Sequence, residues 1–144
     1  MKIIGAKEEG ISYTPRRCSY VIIEAEDKIV LANAEDKYYI MLGGGIEDDD
    51  YLEGLKREVI EEAGYTMKNI KLFDQIRSYI NSSSKGYIEI IANFYIASFD
   101  EKVAEPIELD HTLVYAELTE YQGRLHREFQ NYILDNYIKS KMPS

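Results

Sequence analysis

Alternating apolar and polar positions predict a strand-rich chain with one central helix and one C-terminal helix. Strand patterns occupy residues 18–25, 28–32, 38–42, 67–80, 87–99 and 112–117, and a short strand is expected near the N-terminus. Helical spacing occupies residues 50–64 and 125–139. The polar segment 81–86 predicts a hairpin loop between the two longest strands. This order predicts an α+β fold, a mixed sheet between helices, in a single domain over residues 1–144.

The central helix carries its own start and stop signals. Asp50 is placed to cap the N-terminus, and Glu53, three residues later, would complete a capping box. Gly64 occupies the position of a left-handed C-cap. The apolar residues between these caps recur at helical spacing and form the predicted buried stripe: Leu52, Leu55, Val59 and Ala63.

Three carboxylates of this helix lie on one arc beside the apolar stripe. At roughly 100° per residue, Glu58 and Glu62 are about 40° apart, and Glu61 lies on the other side of Glu58. Like charges this close repel, and a divalent cation with oxygen ligands is a natural compensating partner. Arg57 is placed to pair with Glu61 one turn on. The alternative is a solvated acidic helix face, which is what most charge runs are.

Gly43, Gly44 and Gly45 precede the helix and predict a tight turn. Glycine lets the backbone approach a ligand closely and leaves amides and carbonyls accessible. An ordinary turn from strand to loop is the alternative. Beside a helix with three aligned carboxylates, such a turn favours a metal site that neutralises and orients a pyrophosphate and activates a water.

The glycines and the helix together resemble the Nudix box, G-x5-E-x7-R-E-U-x-E-E-x-G-U, in which U is aliphatic or bulky and apolar. The second half of the pattern matches in full, at Arg57, Glu58, Val59, Glu61, Glu62, Gly64 and Tyr65. The first half departs from it, because Asp49 stands at the position of the first Glu and Leu42 replaces a proline that often precedes the glycines. Counting back from Arg57 makes Gly43 the leading glycine, whereas matching the text Gly-Gly-x-Ile-Glu makes it Gly44.

The resemblance implies a Nudix-type α/β/α sandwich and an enzyme that requires Mg²⁺ or Mn²⁺. Such enzymes hydrolyse a nucleoside diphosphate linked to another moiety. A modified nucleoside triphosphate, cleaved to a monophosphate and pyrophosphate, is one substrate of this class. The alternative is a catalytically silent Nudix-like module that binds or senses a nucleotide. Such modules commonly lose the carboxylates, and the presence of Glu58, Glu61 and Glu62 favours the enzyme.

Carried over by position, the resemblance assigns the metal ligands to the two halves of the box. Glu58 and Glu62 would be the principal ligands. Asp49 stands at the position of the outer ligand, and the carbonyl of Gly43 or Gly44 could complete the shell.

The resemblance also implies the catalytic roles. Glu61 would be a further ligand or would position water, and Arg57 would orient the glutamates. In several relatives the general base is a Glu in a late loop outside the box. Here that loop is residues 100–110, where Glu105 and Glu108 are the candidates and His111 is their neighbour.

The charge balance favours a small anionic substrate over nucleic acid. The chain of 144 residues has 17 Lys and Arg against 26 Asp and Glu, a net charge of −9. Such a chain is not expected to coat nucleic acid, and an anionic substrate needs the metal or local cations. Arg16 and Arg17 are the first basic pair, and strand-end charge is preferred for them over a phosphate contact. Arg127, in the second helix, is given a surface role.

The remaining features concern the compartment and the assembly. Cys18 is alone, so no intramolecular disulfide forms, which is consistent with a reducing cytoplasm. Charges appear too early at the N-terminus for a signal peptide, and no apolar run is long enough to span a bilayer. We therefore expect a cytoplasmic protein without a membrane partner. Many Nudix proteins are dimers, and the sequence leaves a homodimer open.

Overall fold

The computed structural model describes residues 1–47, 50–106 and 111–142, except for the side chain of His111. Within these residues the chain forms eight strands and two helices. In chain order they are β1 Lys2–Ile4, β2 Thr14–Ala25, β3 Lys28–Ala34, β4 Tyr38–Ile40, β5 Leu42–Gly45, α1 Tyr51–Ala63, β6 Tyr65–Ser82, β7 Gly86–Lys102, β8 His111–Glu117 and α2 Glu128–Lys141.

The strands form one sheet with both parallel and antiparallel pairs. Its order is β1-β6-β7-β2-β3-β4, with β5 also paired to β2 and β8 to β3. β6 and β7 make a long antiparallel hairpin, and β7 runs parallel to β2 in the centre of the sheet. β1 runs parallel to β6 at the edge. The predicted mixed sheet is confirmed, and the short N-terminal strand lies at its edge.

Residues of β2 alternate between two buried clusters on opposite faces of the sheet. Ile22 joins a cluster that includes Phe129 of α2. Val21, its neighbour, joins a second cluster that includes Leu55 of α1. Because successive side chains of a strand point to opposite faces, the two helices cover opposite sides of the sheet. This arrangement confirms the predicted α/β/α sandwich, and it places α1 and α2 on either side of β2.

Asp50 and Gly64 cap α1 as the sequence predicts, but the Glu53 carboxylate lies 3.4 Å from Lys56 Nζ instead of closing the predicted capping box. The Asp50 carboxylate accepts a hydrogen bond from the Glu53 N–H at 2.7 Å. Gly64 has a left-handed φ of 78°, and its N–H donates to the Ile60 carbonyl. A Cβ on Gly64 would lie 2.1 Å from the Ala104 carbonyl oxygen, so the end of α1 is also packed tightly. Neither helix in the described part of the chain is long and apolar enough to cross a membrane.

Several predicted boundaries are wrong by a few residues, and tertiary contacts explain the differences. β2 begins at Thr14 because its first residues pair with β7, which overrides their polar sequence. β7 continues to Lys102, into the predicted loop 100–110, because β6 pairs with it there. α2 begins at Glu128 instead of residue 125. The Asn131 side chain binds both the N–H and the carbonyl of Leu125, which holds that residue outside the helix.

The predicted glycine turn is also wrong. The strand expected over residues 38–42 is divided into β4 and β5, and Gly43, Gly44 and Gly45 belong to β5. The division falls at Met41, whose N–H donates to the Gln130 side chain of α2 at 2.8 Å. β4 pairs with β3 before this point and β5 pairs with β2 after it. The glycines are therefore strand residues beside β2.

Tyr137 and Lys141 near the end of α2 both contact the Glu24 carboxylate of β2. The Tyr137 hydroxyl donates to Glu24, and the Lys141 ammonium lies 2.9 Å from the same oxygen. Burial raises the pKa of Glu24, but the Tyr137 hydrogen bond and the Lys141 charge outweigh burial and hold that pKa below 4.5. A carboxylate with a lowered pKa stabilises the fold above the pKa of the unfolded chain, and the stabilisation is lost as the pH falls through the folded pKa.

Tyr137→Phe is therefore expected to reduce the free energy of unfolding by about 1 kcal/mol at neutral pH, where Glu24 is ionised. The deficit relative to the wild type should shrink as the pH falls below 4.5, the usual pKa of the Glu24 carboxyl. Urea unfolding at a series of pH values measures it. Tyr132→Phe, on the same helix, is the control. A deficit that stays constant down to acidic pH would show that the hydroxyl does not act through Glu24.

Candidate active site

The glycines of β5 allow an unusually close approach to β2. Gly43 lies opposite Tyr20, and Gly44 lies opposite Ser19. A Cβ on Gly43 would lie 2.1 Å from the Ser19 carbonyl oxygen and 2.8 Å from the Tyr20 Cα, and its φ of 130° is one that L side chains rarely adopt. Only glycine suits this position, because any larger residue would collide with the backbone of β2.

Two carboxylates of α1 meet this glycine strand. The Gly43 N–H donates to Glu62 Oε1 at 2.7 Å, and Glu62 is only 4% exposed. A Cβ on Gly44 would lie 3.4 Å from Glu58 Oε2, so Glu58 faces the side of β5 that lacks a side chain. Burial of a carboxylate is costly unless donors or positive charge compensate it. The structure therefore brings together three of the predicted site residues, Gly43, Glu58 and Glu62.

Arg57 lies near two carboxylates of α1, Glu58 and Glu61. Its Nε is 3.9 Å from Glu61 Oε1, one turn further along α1, as the sequence predicts. Its Nη2 is 4.0 Å from Glu58 Oε1. These are distances of ion pairs and not of short hydrogen bonds. The guanidinium is thus placed to limit the repulsion between Glu58 and Glu61.

Cys18 and Tyr20 lie on the face of β2 that is turned to α2. Burial raises the pKa of the Cys18 thiol, and the charge of Glu58 adds to this effect. Burial likewise raises the pKa of the Tyr20 hydroxyl, and Cys18 and Glu62 contribute in the same direction.

Arg16 occupies that face, directly over Gly45. A Cβ on Gly45 would lie 2.3 Å from Nη2 and 2.6 Å from Cζ of Arg16, so the guanidinium fills the place of the missing side chain. Arg16 and Tyr20 line a cavity of about 210 Å³, together with Lys85 and Arg127. This cavity was not predicted from the sequence, in which Arg16 was assigned to strand-end charge and Arg127 to the surface. The alternation of β2, which puts Arg16 and Tyr20 on one face, was the available signal.

Arg17 lies on the opposite face of β2. Its Nη2 donates to the Glu47 carbonyl at 2.5 Å, and its guanidinium lies 5.6 Å from the centroid of the Tyr51 ring. Ser19, on the same face, donates to the Tyr51 carbonyl at 2.6 Å. These contacts hold the segment before α1 and the first turn of the helix against the sheet.

Two predicted site residues, Asp49 and Glu108, lie outside the described residues. Glu105, the other candidate base, has a side chain that is 85% exposed and lies 3.3 Å from Lys102 Nζ. This is the environment of an ordinary surface ion pair, which contributes little energy.

The carboxylates are not gathered into a ready metal cluster. Over residues 1–47, 50–106 and 111–142, no three Asp, Glu, His or Cys side chains form a group that could hold a metal ion. Glu62 is held by Gly43, while Glu58 and Glu61 lie beside Arg57. The available donors are nevertheless carboxylate and carbonyl oxygens, which are the ligands of hard divalent cations. The residues present fit Mg²⁺ or Mn²⁺ by their chemistry.

A family model places this chemistry in a known context. The model of the NUDIX domain matches residues 14–131, well over half of the chain. The chain belongs to the Nudix family. The predicted family is confirmed, and with it the enzyme class of Nudix pyrophosphohydrolases. Members of the family hydrolyse a nucleoside diphosphate linked to another moiety.

Solved structures of other Nudix proteins share the fold. The MutT protein from Bacillus halodurans is 22% identical, with a TM-score of 0.71 over 85% of this chain and 82% of that one. The NUDIX hydrolase from Nitrosomonas europaea is 15% identical, with a TM-score of 0.73 over 89% and 91%. The MutT NUDIX hydrolase from Burkholderia pseudomallei is 18% identical, with a TM-score of 0.69 over 85% and 97%. A search of curated proteins found no match.

Proposed function

We propose that this Nudix protein hydrolyses a diphosphate bond with Mg²⁺ or Mn²⁺ held by Glu58 and Glu62. The observation that carries the proposal is the meeting of these two carboxylates with the glycine strand, where the Gly43 N–H binds Glu62 at 2.7 Å. Two carboxylates of a helix and a backbone without side chains thereby meet at one place, and oxygen atoms are the ligands that hard divalent cations prefer. In this proposal the Gly43 carbonyl and Asp49 complete the set of ligands.

When bound there, a divalent ion neutralises the pyrophosphate oxygens and lowers the pKa of a bound water. The protein's own residues supply the remaining functions. Arg57, at 3.9 Å from Glu61 and 4.0 Å from Glu58, holds these carboxylates in place. Glu61 serves as a further ligand or positions the water. Glu108, in the late loop, takes the proton from the water in this proposal.

Arg16 completes the proposed site from the other side of β5. Its guanidinium lies over Gly45, so a phosphate beside the glycines would have carboxylates on one side and a cation on the other. Arg guanidinium groups suit phosphate oxygens because they offer several donors in a fixed plane. The net charge of −9 makes such a local cation important for an anionic substrate. We propose a small nucleotide as the substrate, taken from the cytoplasm, and no stable complex with nucleic acid.

The test is release of phosphate or pyrophosphate from a panel of nucleoside diphosphate and triphosphate derivatives. Each compound is assayed with Mg²⁺, with Mn²⁺ and with a chelator. We expect turnover of at least one compound, and its loss with the chelator. Turnover that is the same with and without chelator would refute the metal requirement. Tight binding of one nucleotide without turnover of any would support a silent binding module instead.

A further inference from the structure

The cavity on the α2 face is lined by three cationic side chains, which come from separate parts of the chain. Arg16 comes from β2, Lys85 from the turn between β6 and β7, and Arg127 from the N-cap position of α2. Ser82 and Ser84 add hydroxyl groups beside Lys85. The cations converge only in the folded protein, since Arg16 and Arg127 lie near opposite ends of the sequence.

This concentration of positive charge contrasts with the rest of the acidic chain. Among the described residues that line the cavity there is no carboxylate, although the net charge of the chain is −9. A cavity of the same volume near the end of α2 mixes acidic and basic residues. In the part of the chain that the structure describes, neither Lys85 nor Arg127 forms an ion pair with a carboxylate. Grouped cations of this kind favour an anionic ligand.

The size and the donors of the cavity suit one phosphorylated end of a nucleotide. Sites that enclose a whole drug-sized ligand measure roughly 300–1,000 Å³, and this cavity of about 210 Å³ is smaller. Arg and Lys side chains only donate hydrogen bonds. The Ser82 hydroxyl already accepts from the Lys85 N–H at 3.3 Å. The three charged side chains of the lining donate only, while Ile80, Ile88, Ile90 and Phe129 supply its apolar part. The charged donors match phosphate oxygens, which only accept, better than a base edge, which presents both donors and acceptors.

Arg16 connects this cavity to the glycine strand, because it lies over Gly45 and also lines the cavity. We propose that the substrate carries a further phosphoryl group, a phosphate monoester on the sugar next to the scissile diphosphate, and that Lys85 and Arg127 bind it. The sugar is the part of the substrate that enters the cavity first, since it is joined directly to the diphosphate. This inference rests on the proposed function for the position of the diphosphate.

Calorimetric titration of the full chain, with chelator present, tests the inference without turnover. The probes are adenosine 5′-monophosphate and its 2′,5′- and 3′,5′-bisphosphates, which differ only in the added monoester. At least one bisphosphate should bind roughly tenfold or more tightly than the monophosphate, as expected for hydrogen bonds to a charged group. Lys85→Gln and Arg127→Gln should each remove most of this advantage and leave the affinity for the monophosphate nearly unchanged. Lys68→Gln, an exposed lysine of β6, is the control that keeps the advantage.

Two outcomes would overturn the inference. One is equal affinity for all three nucleotides in the wild type. The other is an equal loss for all three in Lys85→Gln, which would mean general attraction of anions. Because no hydrolysis is measured, failure of the inference and failure of the proposed function can be told apart. A preference for a bisphosphate without any metal-dependent turnover would refute the hydrolysis alone, and turnover without that preference would refute the phosphate site alone.

Discussion

Glu62→Gln is expected to reduce metal-dependent turnover by roughly a hundredfold or more, because loss of a charged ligand removes several kcal/mol of transition-state stabilisation. The fold should remain, since Gln has the same shape and its carbonyl oxygen can accept the Gly43 N–H that Glu62 accepts at 2.7 Å. At 4% exposure, the neutral side chain is also easier to bury than the carboxylate. The measurement is the steady-state rate with Mg²⁺, together with thermal unfolding followed by circular dichroism.

Glu53→Gln is the matched control for this substitution. Glu53 is on the same helix, but its side chain is 61% exposed and lies 3.4 Å from Lys56 Nζ, away from the glycine strand. Its loss should leave the rate nearly unchanged. A Glu62→Gln protein that keeps the wild-type rate would show that the metal site is wrongly assigned. A protein that loses the rate together with its cooperative unfolding would show that Glu62 acts through the fold.

Gly43→Ala is expected to lower the free energy of unfolding by about 3 kcal/mol, the sum of a strained backbone and an overpacked contact. The added Cβ would meet the Ser19 carbonyl oxygen at 2.1 Å, and the φ of 130° disfavours any L side chain. The nearest atoms, the Ser19 carbonyl oxygen and the Tyr20 Cα, belong to the backbone of β2, so neither can rotate away. Urea unfolding measures the change through the midpoint and the slope of the transition.

Gly10→Ala separates the two causes of this destabilisation. Gly10 also has a positive φ, of 79°, but nothing lies within 4 Å of an added Cβ. Its replacement should therefore cost only the backbone term, about 1–2 kcal/mol. Equal destabilisation by the two substitutions would contradict the close approach of β5 to β2. A stability of Gly43→Ala within error of the wild type would contradict it too.

The helix half of the site could be predicted because its signals are local. The spacing of Glu58, Glu61 and Glu62 along one helix fixes their common side, and Asp50 and Gly64 mark where that helix starts and ends. The order of strands and helices predicted the mixed sheet for the same reason, since each element was read from its own periodicity.

The other half depends on contacts between distant segments, which periodicity does not carry. Three consecutive glycines indicate a turn, but here they pair with β2 and form a strand. Nothing near Lys85 in the sequence places it beside Arg16 and Arg127. That meeting requires the parallel pairing of β2 with β7 and the docking of α2 on the same face. The position of Arg16 depends in addition on the pairing of β2 with β5, because the glycine at residue 45 leaves room for the Arg16 guanidinium.

Binding of Mn²⁺ followed by electron paramagnetic resonance tests most directly whether Glu58 and Glu62 hold a divalent ion. The wild type should bind Mn²⁺, and Glu58→Gln and Glu62→Gln should each weaken it by roughly tenfold or more, since even groups that only support metal ligands contribute 10–100-fold. Glu53→Gln should bind as the wild type does. Unchanged Mn²⁺ affinity in both glutamine variants, with the fold intact, would contradict the account.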